Sequence, residues 1–306
     1  MSYLWQTRQG IHFDAGRIAM AEVQMRGRSI KLLKQEIAYL TDRVLIPDPL
    51  SPSIRDEELV QKTLRALLKP GRRSKKISVS LSDLSARVTL IPMEKPISQR
   101  AEVEKLIQWK MEKSSLYQPE KFRLRYQLLS SLLLASTIYE PVLGQYEAVL
   151  HASGLEPRLI DIASFHVFNL YHDYLLHHSA PRHCFVFLYA GDSFFTVMIF
   201  LRGVLNFIRI KALRSQTRST AEKVIEELRS SLEFYNEDHD ITGLTHLFLA
   251  GLPVSEILSK SLEDSFAWET VQLKPENVIS IAPQSGDIQV EDWPALIPAI
   301  AAAVGR

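Results

Sequence analysis

The chain has 306 residues, 46% hydrophobic and 23% charged, an ordinary globular composition with apolar material for two cores. Its 36 Lys and Arg nearly balance its 35 Asp and Glu, so it lacks the basic excess that a phosphate backbone demands, which excludes nucleic acid as the principal partner. The single cysteine, Cys184, leaves no internal disulfide framework and reads as a small buried hydrophobe at the head of an apolar run. The first residues, MSYLWQTRQG, lack a secretory pattern, so the expected compartment is the cytoplasm.

In chain order, periodicity predicts strands over 9–14, 18–25 and 29–38, then a proline-rich connector, IPDPLSPS, then a helix. Ser53 is the expected cap of that helix. Asp56, Glu57 and Glu58 suit its N-terminal dipole, and Val60, Leu64, Leu67 and Leu68 share one face. Pro70-Gly71 is its expected end, and the alternation of Ile77, Val79 and Leu81 marks the next strand. A helix over 138–152 closed by Gly154, a strand over 158–162 and a helix over 163–178 follow.

The second half runs through the same order. Strands over 183–190, 193–201 and 204–210 precede a helix over 218–236 with Val224, Leu228, Leu232 and Tyr235 on one stripe. A strand over 244–250, a helix over 253–264, a strand over 268–273 and a helix over 293–304 complete it. Both halves read βββαβαβα, a pattern that gives a mixed sheet covered on both faces. This implies two domains, 1–180 and 181–306. One segment, about 83–131, has no counterpart: a strand over 87–91, a helix with Val103, Ile107 and Met111 on one side, and the alternating strand Phe122, Leu124, Tyr126, Leu128. It reads as a small αβ subdomain inserted into the first domain.

Neither apolar run spans a membrane. The stretch 184–201 is broken by Gly191, Asp192 and Ser193, and 293–304 is about half the roughly 20 residues needed.

The repeated order resembles the duplicated RNase H-like unit of actin, sugar kinases and Hsp70, and an insert at this point resembles FtsA and PilM. Several phrases favour PilM, the actin-like family of type IV pilus machines. YEPVLGQYEAVLHASGLEPRLIDIAS (139–164) is similar to that family's helix, "GL" turn and "vDi" strand. IEELRSSLEFYN (225–236), LFLAGL (247–252) and PALIPAIAAAVGR (294–306) are similar to three further family segments. The fold class implied is a duplicated actin-like α/β fold.

The resemblance implies ATP and Mg²⁺ as the family's cofactors, held by two Asp-x-Gly hairpins and a later "GG". The residues at those places are Asp14 and Gly16 in the first hairpin, Gly191 in the second, and Gly251 at the third motif. All three motifs depart from the pattern. The chain passes from Gly16 straight into Arg17, about two residues short of the family's Ser/Thr-rich turn. Tyr189 stands where the second acid belongs, with Asp192 three residues late, and Leu252 replaces the second glycine. The helical subdomain that in the family follows the third strand of the second half is missing, since Ile210 reaches the next helix in under ten residues. The four residues are therefore read as remnants of a nucleotide site, with no catalytic or metal-binding residue and no cofactor expected.

His172, His177, His178 and His183 are read as a polar helix end, because His172 and His177 lie about 140° apart on a helix. The loop GRRSKK (71–76), with Lys69, offers either a solvated surface or a contact for anionic lipid.

The resemblance implies a scaffold that binds the N-terminal cytoplasmic tail of a PilN-like single-pass membrane protein in a groove between the first domain and the insert (87–129), and the departures from the nucleotide motifs imply that it does so without ATP hydrolysis. Other pilus or secretion motor components are expected partners, and contact with the membrane is expected only through a partner. Three alternatives stand beside it: a component like the cytoplasmic domain of GspL in type II secretion, a functional ATPase, and an FtsA-like filament former.

Overall fold

The computed structural model describes residues 5–41, 43–68, 76–93, 97, 99–112, 119–191, 193–213, 220–237, 243–251, 256–266, 268–285 and 288–305. The first three strands, β1 (Gln6–Asp14), β2 (Arg17–Arg26) and β3 (Ser29–Tyr39), form an antiparallel meander. Helix α1 (Glu57–Leu67) leads to β4 (Lys76–Leu81), which pairs parallel to β1. The cap of α1 is Asp56, whose side chain accepts from the Leu59 amide, whereas Ser53 is fully buried upstream. An Asp three residues nearer the helix can reach an N3 amide, which corrects the expected Ser53 cap.

Three strands then form a separate sheet in the order β5-β7-β6: β5 (Arg87–Pro92), β6 (Phe122–Leu129) and β7 (Leu132–Tyr139). Helix α2 (Arg100–Glu112) covers one face of it through Val103, Ile107 and Met111, which pack on Ile91, Phe122, Leu133 and Ala135. The central strand β7 was not anticipated. Its run LLLAST places leucines on the half-buried face, Leu132 and Leu134, as well as on the buried one, and so carries no period-2 signal. The small sheet consequently runs to Tyr139, and α3 (Glu140–Ala152) begins two residues later than expected.

After α3, β8 (Glu156–Ile162) joins β4 in parallel and α4 (Ala163–His178) follows. The second half supplies β9 (Phe185–Ala190), β10 (Phe194–Leu201), β11 (Val204–Ala212), α5 (Thr220–Asn236), β12 (His246–Ala250), α6 (Glu256–Phe266) and β13 (Glu269–Gln272). The link from β11 to α5 is short, residues 213–219. Strand order is β3-β2-β1-β4-β8 in the first sheet and β11-β10-β9-β12-β13 in the second. Each is an antiparallel meander extended by two parallel strands. The repetition seen in the sequence is therefore a repetition of topology.

The end of the chain departs from a simple division at 180. The two-residue strand β14 (Ser280–Ile281) pairs with β3, and α7 (Trp293–Val304) lies on β1, β2 and β4 of the first sheet. Residues Pro294–Val304 of α7 are all buried. Ala19, Ala21 and Gly10 let it approach closely: a Cβ at Gly10 would stand 2.0 Å from the Ala299 carbonyl oxygen. One apolar cluster consequently joins the halves, running from Ala19, Val23 and Leu32 through α4 and α7 to Phe185, Phe187 and Phe248.

Candidate functional site

The β1–β2 and β9–β10 hairpins meet where Ser193, just before β10, reaches Asp14 at the end of β1. Asp14 ends β1 and is 2% exposed. Its Oδ1 accepts from its own turn, the Ala15 amide at 2.7 Å, and from Ser193 Oγ of the opposite hairpin at 2.7 Å. Gly191 lies against the same carboxylate: a Cβ there would meet Asp14 Oδ2 at 3.2 Å and the Phe194 ring at 2.7 Å. The Gly191 amide donates to the Phe194 carbonyl at 2.9 Å. The two hairpins thus touch through Ser193 and the Asp14 carboxylate, which also lies against Gly191.

Gly16 holds φ +79 in the two-residue turn between Asp14 and Arg17 and faces open space. Gly251, at φ +93, does the opposite. A Cβ on it would stand 2.1 Å from the Ala190 carbonyl oxygen and 2.8 Å from Tyr189 Cε2, so its backbone is pressed onto β9. Tyr189 is fully buried, donates its hydroxyl to the Pro294 carbonyl at 3.3 Å, and meets Phe194 edge-on at 5.6 Å. Tyr189, expected from the sequence to replace the second acid, is thus an aromatic ring packed under the first turn of α7.

A second junction lies at the end of β4. Asp83 is fully buried; its Oδ1 accepts from the Ser164 amide in the first turn of α4 at 2.9 Å, and its Oδ2 from Thr196 Oγ1 of β10 at 2.6 Å. Burial pushes its pKa up to about 6 against the pull of those hydrogen bonds, with the Asp161 charge adding a little. Burial likewise raises Asp161 and lowers His166, while their mutual attraction opposes both shifts.

Beside Asp83 is a cavity of about 490 Å³. Its apolar wall comes from Pro49 of the connector, Leu84, Val88 on β5, Met111 on α2 and Ile210 on β11. Arg87 and Lys110 bring cationic side chains to it. Among the described residues no group of three His, Cys, Asp or Glu could hold a metal ion, and no helix is long and apolar enough to cross a membrane.

Among solved structures, a chain of the PilM-PilN type IV pilus biogenesis complex superposes with a TM-score of 0.79, covering 97% of this chain and 97% of that one at 16% identity. A Bacteroides thetaiotaomicron protein with an actin-like ATPase fold and unknown function gives 0.50 at 12% identity, over 90% and 93% of the two chains. The fold is actin-like. The actin-like chain also matches the cytoplasmic domain of EpsL, an inner membrane component of the Vibrio cholerae type II secretion system, with a TM-score of 0.53, 8% identity and 98% and 96% coverage. No family model matches it, and no curated protein matches it.

Of the four residues assigned from the motifs, the actin-like fold brings Asp14 and Gly191 together, packs Gly251 against β9, and leaves Gly16 at an open turn. Asp192, Leu252, Pro70-Gly71, Lys69 and the basic residues Arg72, Arg73 and Lys75 lie outside the described residues. Ser193, Asp83 and Thr196 were given no role from sequence. Thr196 inside the run FFTVMIF is an isolated polar residue in apolar surroundings, the signal that could have found it, whereas Asp83 stands among Ser80, Ser82 and Ser85 and carries no such signal.

Proposed function

We propose that this chain is a nucleotide-independent actin-like scaffold of a type IV pilus or related secretion machine, working in the cytoplasm and reaching the inner membrane through a partner. It holds the N-terminal cytoplasmic tail of a PilN-like membrane protein and does not hydrolyse ATP. The observation that carries the second part is the hydrogen bond from Ser193 to Asp14. A nucleotide in an actin-like cleft needs both hairpins to turn backbone amides and an acid toward phosphate and Mg²⁺. Here the Gly191 amide is bonded to Phe194, its open side is covered by the Phe194 ring and Asp14, and Tyr189 replaces the second acid. These residues do not fit a bound Mg-nucleotide.

Support for a tail-binding role is the likeness to the PilM-PilN chain, together with a cavity between the connector and the insert of the size that an extended peptide's side chains fill. The higher TM-score for that chain than for EpsL, 0.79 against 0.53, favours a pilus over a type II secretion setting. Two experiments test the proposal. Calorimetry with Mg-ATP is expected to give no binding heat, and micromolar binding would overturn nucleotide independence. A pull-down with tails of PilN-like proteins is expected to retain at least one, and retention of none removes the scaffold reading.

A further inference from the structure

Two hydrogen bonds that run from a hydroxyl to a carboxylate cross from the β9–β10 hairpin to the first half. Ser193 reaches Asp14 at 2.7 Å, and Thr196 reaches Asp83 at 2.6 Å. The acceptors are neighbours in the first sheet. Phe13, just before Asp14, pairs with Leu81 at the end of β4, and the Ser82 amide continues that ladder to the Phe13 carbonyl at 3.0 Å, which leaves Asp83 one residue further on. The donors lie three residues apart, about 10 Å along an extended strand. The start of β10 therefore runs across the ends of β1 and β4 and is fastened to each. Beside it Tyr189, paired with Thr196 across the hairpin, donates its hydroxyl to the Pro294 carbonyl of α7, the helix that lies on the first sheet.

Asp83 does more than receive Thr196. It stands just before Arg87–Pro92, the strand with which the insert sheet begins, and its other oxygen accepts from the Ser164 amide. The cap residue of α4, Ile162, has no side-chain acceptor, so Asp83 serves that helix end from outside. Strand β10 is paired on both sides, to β9 and β11, and moves as a stiff unit, so it cannot leave one carboxylate without pulling on the other. Losing Thr196 would strand a carboxylate oxygen of the fully buried Asp83, a costly state that is relieved only when Asp83 swings out to water and releases Ser164. We propose that the β9–β10 hairpin is a latch: through Ser193 on Asp14 and Thr196 on Asp83, the release of the hairpin, the loosening of the insert's root and the fraying of the first turn of α4 are a single event. Such an event is a sub-global opening, and every amide it exposes shares one opening equilibrium. The latch goes beyond the scaffold reading and stands whatever the chain binds.

Hydrogen exchange of the full chain, read segment by segment by mass spectrometry, tests the latch. In the unaltered chain, the insert root (84–92), the first turn of α4 (163–167) and β10 (194–201) are expected to respond to sub-denaturing urea with one common slope. That slope should be shallower than the slope of α3, which belongs to a separate core of the first half. Thr196→Val and Ser193→Ala are each expected to speed exchange about fivefold in all three segments. For Ser193→Ala the rise at the insert root is the telling result, because Ser193 is bonded to Asp14 and the root is held at Asp83. Thr196→Ser keeps the hydroxyl and is expected to return the rates to those of the unaltered chain. An effect of Ser193→Ala confined to the two hairpins would overturn the inference. Three different urea slopes in the unaltered chain, or one slope equal to that of α3, would overturn it as well. The urea series needs no substitution and decides the question should a variant fail to fold.

Discussion

Asp83 joins the end of β4, the start of α4 and strand β10 through two hydrogen bonds, yet its burial makes the charged form costly. Its pKa of about 6 in the fold stands above the ordinary 3.8, so the folded chain holds this proton more tightly than the unfolded one. The group's stabilising contribution is thus fully present below pH 3.8 and lost as pH rises through 6, a difference of about 2 units or roughly 3 kcal/mol. Asp83→Asn cannot titrate. In thermal melts the variant is expected to compare more favourably with the parent at pH 7.5 than at pH 4.5, and a pH-independent difference would show that Asp83 is not the group responsible. Asp14 differs in kind. It is nearly as buried, but its role is to receive Ser193 across the cleft, and Ser193→Ala is expected to cost about 1 kcal/mol, read by chemical denaturation.

Among the elements, α7 shows most directly how sequence becomes packing. Its segment WPALIPAIAAAV is too short to span a bilayer and has no charged face, and it lies buried between the two sheets. The alanines of α7 meet Ala19, Ala21 and Gly10 on the first sheet, so backbone approaches backbone with few side-chain atoms between. Gly10→Ala places a methyl 2.0 Å from the Ala299 carbonyl oxygen and 2.5 Å from the Ala303 nitrogen, so the helix must shift. The expected loss is about 3 kcal/mol, measured as a drop in the denaturant midpoint. A change under about 0.5 kcal/mol would mean that α7 does not press on β1 as described.

At the scale of the whole molecule, a shared apolar cluster separates this chain from a pair of domains hinged around a ligand. Residues of the first sheet, α4, α7 and the second sheet form one continuous core, with Phe168 stacked on Phe200 at 4.7 Å at its aromatic end. An interface of that kind is expected to unfold with the domains it joins rather than before them. Scanning calorimetry should give one cooperative transition, unchanged by Mg-ATP. Two resolved transitions would show that the halves are energetically independent.

Much of this was legible in the sequence because it depends on local pattern. Helices α4 and α7 fall where their periodicity and boundary residues place them, and the repeated βββαβαβα order is the topology of both sheets. Strand β7 was not legible, since its half-buried face carries leucines like its buried one and leaves no alternation to read. Nor was the α1 cap, where two capping residue types lay three positions apart and only backbone geometry chose Asp56. The sequence by itself determined the duplicated α/β order and a near balance of basic and acidic residues. Only the tertiary structure decided that Ser193 closes on Asp14, that α7 returns to the first sheet, and that Ile210 joins the insert in one cavity. Such contacts link residues 105 to about 300 positions apart, as with Tyr189 and Pro294 or Arg8 and Val304, and no local periodicity encodes which distant strand ends will meet.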